Sequence, residues 1–191
     1  MSTFAEQAGQ ALKGSFELLQ RRAEGLSRFD LSESGFWRSF AAIPLAIPAF
    51  VVLVAFYRAE DGLLQPGASL FADPGPLARA ALDFASIWAA PLLVGFWVAR
   101  LLEVRQRFVA LVVAINWTGV IAAGFIALPG LLFALGLATA AHAWVYGTAF
   151  LILVLHLQWF TTKHALGVSS GVAAAIVMGQ AAGASAARAL A

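Results

Sequence analysis

Residues 166–187 read LGVSSGVAAAIVMGQAAGASAA, with a small residue at every fourth position: Gly167, Gly171, Ala175, Gly179, Gly183 and Ala187. With almost no side chain at these rungs, a neighbouring helix backbone can approach closely, which is how helices associate in lipid. Upstream, residues 108–162 form a run of 55 without one Asp, Glu, Lys or Arg. A bilayer crossing takes about 20 apolar residues, so this run alone holds two spans. Together the two stretches predict an all-α fold, a polytopic bundle of membrane helices.

Composition agrees. Hydrophobic residues make up 61% of the 191 and charged residues 12%, with a mean hydropathy of +0.84. Soluble domains carry roughly a quarter charged residues, so lipid must cover the apolar surface of this chain. Cysteine is absent, which excludes a disulfide framework, a thiolate metal site and a Cys nucleophile. The net charge of +2 does not point to nucleic acid, because the basic residues sit at membrane boundaries. The Ala- and Gly-rich composition points to a bacterial inner membrane.

Working outward from the charge-free run, five spans are predicted, at about 39–57, 82–102, 108–128, 131–157 and 166–187. Residues 1–35 precede them as a cytoplasmic segment, and 36–191 form the membrane domain. In the first segment Phe4, Ala8, Leu12, Phe16, Leu19, Ala23 and Leu26 follow a three-and-four spacing among polar neighbours, the pattern of an amphipathic helix. It can lie among lipid headgroups, dock on a partner or pack under its own bundle. Phe36, Trp37 and Arg38 read as interface anchors before the first span. Pro44 and Pro48, one turn apart in that span, and Pro91 in the second are hinge candidates, since each removes a backbone donor. A polar loop is expected from Arg58 to about Pro76, and a tight turn at Pro129-Gly130.

Five spans put the termini on opposite sides. With the N-terminus cytoplasmic, Lys13, Arg21, Arg22, Arg28, Arg38, Arg100, Arg105, Arg107 and Lys163 are inside, and Arg58, Arg79 and Arg188 outside. That nine-to-three bias predicts N-in, C-out.

Polar residues at membrane depth are functional candidates by default. Thr139, His142, Tyr146 and His156 fall on one face of the fourth span at about 100° per residue. Asn116 on the third span and Gln180 on the fifth are the other candidates, with a bond expected from Asn116 to His142 or Gln180. Two histidines on one helix raise haem ligation, but matching histidines on a second helix are missing, and His142 reads better as a neutral interhelix residue. No acidic or thiolate ligand joins them for a metal, and no Ser has a base and an acid beside it. An enzyme is therefore not expected, and no cofactor.

The segment Asp30-Leu31…Gly35-Phe36-Trp37, placed just before the first of five spans, resembles the Yip family of small membrane proteins. That resemblance implies N-in, C-out topology and membrane-organising or trafficking partners, with no defined reaction in bacterial members. The family's Pro before Phe-Trp is absent here, and its second motif, Gly-Tyr, finds only the reversed Tyr146-Gly147.

The leading expectation is a non-enzymatic membrane protein that associates with itself or other membrane proteins. A small-solute permease or transporter subunit is second and a haem-binding electron carrier third. A four-residue step advances about 400°, so the ladder drifts about 40° per rung. It is therefore expected to serve two neighbours as a central packing seam, with self-association second. The bulkier row Val168, Val172 and Ile176 is expected to face lipid.

Overall fold

Eight consecutive residues, Leu111-Val112-Val113-Ala114-Ile115-Asn116-Trp117-Thr118, are all buried. A helix apolar on every side has to be enclosed on every side, and the other helices are fitted around this one. The computed structural model describes residues 3–60 and 74–190, the side chains of 74–77 and 184–190 excepted. The described residues are 87% helical, without strands. In order come α1 (Phe4–Leu19), a 3-10 turn (Ala23–Arg28), α2 (Glu33–Ser39), α3 (Ala42–Glu60), α4 (Pro74–Leu101), α5 (Phe108–Ala134), α6 (Ala140–Leu166) and α7 (Ser170–Leu190). Among the described residues four stretches are long and apolar enough to cross a membrane: Glu33–Glu60, Ala78–Leu101, Arg105–Ala134 and Ala140–Leu166.

α5 packs most closely on α3 and α6, α4 pairs with α7, and α7 also lies against α6. Glycines on α5 set two of these approaches. A Cβ at Gly119 would meet the Trp88 indole of α4 at 2.6 Å, and one at Gly130 would meet Phe56 Cβ of α3 at 2.9 Å. The Pro129-Gly130 pair is therefore a docking point for α3 inside a continuous helix, not the predicted turn. The true hairpin lies six residues on. Gly136 takes φ +69°, its N–H bonds Phe133 O at 2.9 Å and that of Leu137 bonds Leu132 O at 2.9 Å. These two bonds satisfy the last carbonyls of α5. Thr139 then caps α6, accepting from His142 N at 3.3 Å. The expected span 108–128 therefore lengthens to Ala134, and 131–157 moves to Ala140–Leu166.

The prolines divide. Pro44 sits in the first turn of α3, where a missing donor costs nothing. Its ring excludes a helical bond to Phe40, and the chain breaks at Phe40-Ala41 between α2 and α3. Pro44 thus starts a helix instead of bending one. Pro48 and Pro91 lie inside α3 and α4 as expected. Residues 61–73 of the predicted polar loop, and the Ala187 rung, lie outside what is described.

The N-terminal segment is two pieces. α1 opens with a capping box between Thr3 and Glu6 and ends at Arg21, whose φ of 64° reverses the chain. The 3-10 turn then folds back on α1, where Gly14 and Gly25 are buried against each other. Arg28 clamps the pair, donating from Nε and Nη2 to the Glu17 carboxylate at 2.7 Å each. α1 buries Ala11, Ser15 and Leu18 against α5 and α6. Packing under its own bundle, one of the expected positions, is observed. Phe4 and Phe16, placed on the apolar stripe, stay about half exposed.

Candidate functional site

Most of the ladder faces outward. Gly171, Ala175 and Gly179 are exposed, and a Cβ at Gly171 would meet nothing within 4 Å. One at Gly179 would just reach Val94 at 4.0 Å, and one at the half-buried Gly183 would reach Ala90 at 3.9 Å. α7 packs through Ala173, Ile176, Val177 and Gln180 instead. The seam and the lipid row thus change places: Ile176 is buried, and Val168 and Val172 pack against the core. Gln180 lies in the same inward row, where its amide must be paired: its Nε2 donates to Pro91 O of α4 at 3.3 Å. Gly167 is not in α7 at all. At φ +65° it caps α6, and an added Cβ would overlap the Arg107 guanidinium.

The Thr139-His142-Tyr146 group also lies on the outside. All three are exposed, because α6 starts at the hairpin and not at Leu131. Thr139 Oγ1 lies 3.0 Å from His142 Nδ1, and the His142 ring stacks on Tyr146 with centroids 6.1 Å apart. His142 is therefore not the buried interhelix residue expected. His156 is half-buried beside Trp159, ring centroids 5.3 Å apart.

Asn116 is the candidate found at depth. Its Nδ2 donates to Ser39 Oγ at 2.9 Å, not to His142 or Gln180. Ser39 Oγ in turn donates to Phe36 O at 2.7 Å. Phe36 packs against the core and meets Trp37 and Phe40 edge to face, so of the three expected anchors only Trp37, 66% exposed, and Arg38 point outward. Arg38 Nη1 donates to Gln7 Oε1 of α1 at 2.8 Å.

The Asp30…Trp37 segment holds this corner together. Ser32 caps α2 by accepting from Gly35 N at 3.1 Å. Gly35 sits directly on the Asp30 backbone, where a Cβ would overlap the carbonyl. The Ser32 hydroxyl and N–H hold the Asp30 carboxyl below its ordinary pKa, with Arg38 adding a smaller pull. Ser39 follows Arg38 and can satisfy its hydroxyl on its own helix at Phe36 O, so its position in the sequence gives no signal that it also holds Asn116. At the opposite end of the bundle Trp144 Nε1 donates to Glu60 Oε2 at 3.2 Å, and Phe56, Tyr57 and Trp144 form an aromatic cluster. No protein-family model, curated protein or solved structure matches this chain.

Proposed function

We propose that this chain is a five-span, N-in, C-out membrane protein, of the bacterial inner membrane, that works by helix–helix association with itself or with other membrane proteins. One observation carries the reading: Gly171, Ala175 and Gly179 lie on the outer surface, with almost nothing of their own chain against them. An interior ladder would have been used up by the fold. An outward one leaves a close-approach surface open to another helix. The resemblance to the Yip family, carried by Asp30-Leu31…Gly35-Phe36-Trp37, implies partners of the same kind.

The test is the double variant Gly171→Leu, Gly179→Leu, compared with the parent by native electrophoresis and crosslinking in mild detergent. Leucine is a better helix former than glycine, so α7 stays folded while its outer surface becomes bulky. The expected result is loss of the associated species. An oligomeric and partner profile identical to that of the parent would refute the proposal.

A further inference from the structure

The turn between α4 and α5 carries three arginines and one acid. Residues 100–107 read RLLEVRQR. Val104 N bonds Ala99 O and Arg107 N bonds Val104 O, both at 2.9 Å, so the chain folds back and holds Arg100, Arg105 and Arg107 on one tight turn. All three residues are exposed. Among the described residues none of them lies within ion-pair distance of a carboxylate, that of Glu103 included. Like charges held this close repel, and an anion between them removes that cost.

The same turn ends an apolar ridge. Leu93, Trp97 and Leu101 follow one another at steps of four on α4, with Arg100 beside them on the same side. All three are exposed, Leu101 to 81%. Phe96 meets Trp97 and Phe108 edge to face, ring centroids 5.7 Å apart in each pair, which sets the ridge against the start of α5. The ridge belongs to Ala78–Leu101, one of the stretches apolar enough to cross a membrane. A soluble anion would engage the arginines and leave the ridge bare. A phospholipid engages both, with its phosphate at the turn and an acyl chain along the ridge.

We infer that Arg100, Arg105 and Arg107, with the ridge of Leu93, Trp97 and Leu101, form a binding site for an anionic phospholipid in the leaflet that this end of the bundle meets. Guanidinium groups donate in pairs to phosphate oxygens. A lipid with net negative charge is favoured over a zwitterionic one, whose own cationic group offsets its phosphate. The Arg107 guanidinium also lies against Gly167 at the cap of α6, so Arg100 and Arg105 are the pair to replace.

Native mass spectrometry of the full chain, titrated in mild detergent with phosphatidylglycerol or phosphatidylcholine, reads the lipid retained. The parent should bind phosphatidylglycerol more tightly than phosphatidylcholine, and equal binding would overturn the inference. Each basic residue near an anionic lipid surface is worth about fivefold, so Arg100→Gln with Arg105→Gln should weaken phosphatidylglycerol binding by about 25-fold. Arg79→Gln, which removes the same charge from an exposed site at the other end of α4, should leave it unchanged. Parental binding in the double variant, or an equal loss from Arg79→Gln, would overturn the site. Glycerol phosphate, a headgroup without acyl chains, should not displace the lipid at equal concentration; displacement would reduce the site to one for a soluble anion and overturn the lipid assignment.

Discussion

Four helices end in the same hydrogen-bonded turn, and its central residue differs. Gly136 and Gly167 close α5 and α6, while Arg21 and Glu103 close α1 and α4 at φ 64° and 59°. The bonds are alike: Arg22 N reaches Glu17 O, and Val104 N reaches Ala99 O, both at 2.9 Å. An L-residue with a side chain pays about 1–2 kcal/mol in this region, and glycine does not. Arg21→Gly should therefore stabilise the α1 end by up to about 1 kcal/mol once glycine's extra chain entropy is subtracted. Gly167→Ala should cost at least that much, because the Arg107 guanidinium must also move. Thermal unfolding followed by circular dichroism in detergent measures both. The same residues explain what was legible. Charge and hydropathy are one-residue properties that sum along the chain, so the apolar helices could be read directly. The ends could not, because Arg21 and Glu103 carry no turn signal and Pro129-Gly130 carries one that packing overrides. The site suffered likewise: the inward row of α7 joins the bulk of Ile176 and Val177 to the Gln180 amide, which a spacing argument on small residues does not weigh.

At the scale of elements, α3 depends on α5 through Gly130. Gly130→Leu drives a side chain into Phe56 and should destabilise by about 1–3 kcal/mol, the usual cost of overpacking. Phe56→Ala in the same chain should recover part of that loss, and the two changes should be non-additive in a double-mutant cycle. The N-terminal module responds to acid. Glu17 has its pKa lowered, chiefly by the hydrogen bonds from Arg28 and less by the charges of Arg28, Lys13 and Arg22, with desolvation opposing. A lowered folded-state pKa means stabilisation present above the ordinary carboxylate value of 4.5 and lost as pH falls through the lowered one. Asp30 has the same sign. Protection of α1 amides from hydrogen exchange should hold from neutral pH to about 5 and fall below about 4, and in Arg28→Ala it should already be reduced at neutral pH.

Across the whole molecule the arrangement divides the charges by end. Arg100, Arg105, Arg107 and Lys163 lie at the end of the bundle that carries α1, while Arg58 and Glu60 lie at the other. In the proposed topology the first end is cytoplasmic, and the chain is suited to a direct check because it contains no cysteine. Gly9 is exposed with nothing within 4 Å of an added Cβ, and Leu137 in the α5–α6 turn is 72% exposed. In intact cells, a membrane-impermeant maleimide should label Leu137→Cys at once and Gly9→Cys only after permeabilisation. The reverse pattern would invert the topology. α7 decides the parity: it is not among the four stretches long and apolar enough to cross, but its 21 residues reach about 31 Å as a helix, and the proposed topology has it cross. A cysteine appended after Ala191 should then label from outside with Leu137→Cys, and labelling that required permeabilisation would leave four crossings with both termini inside.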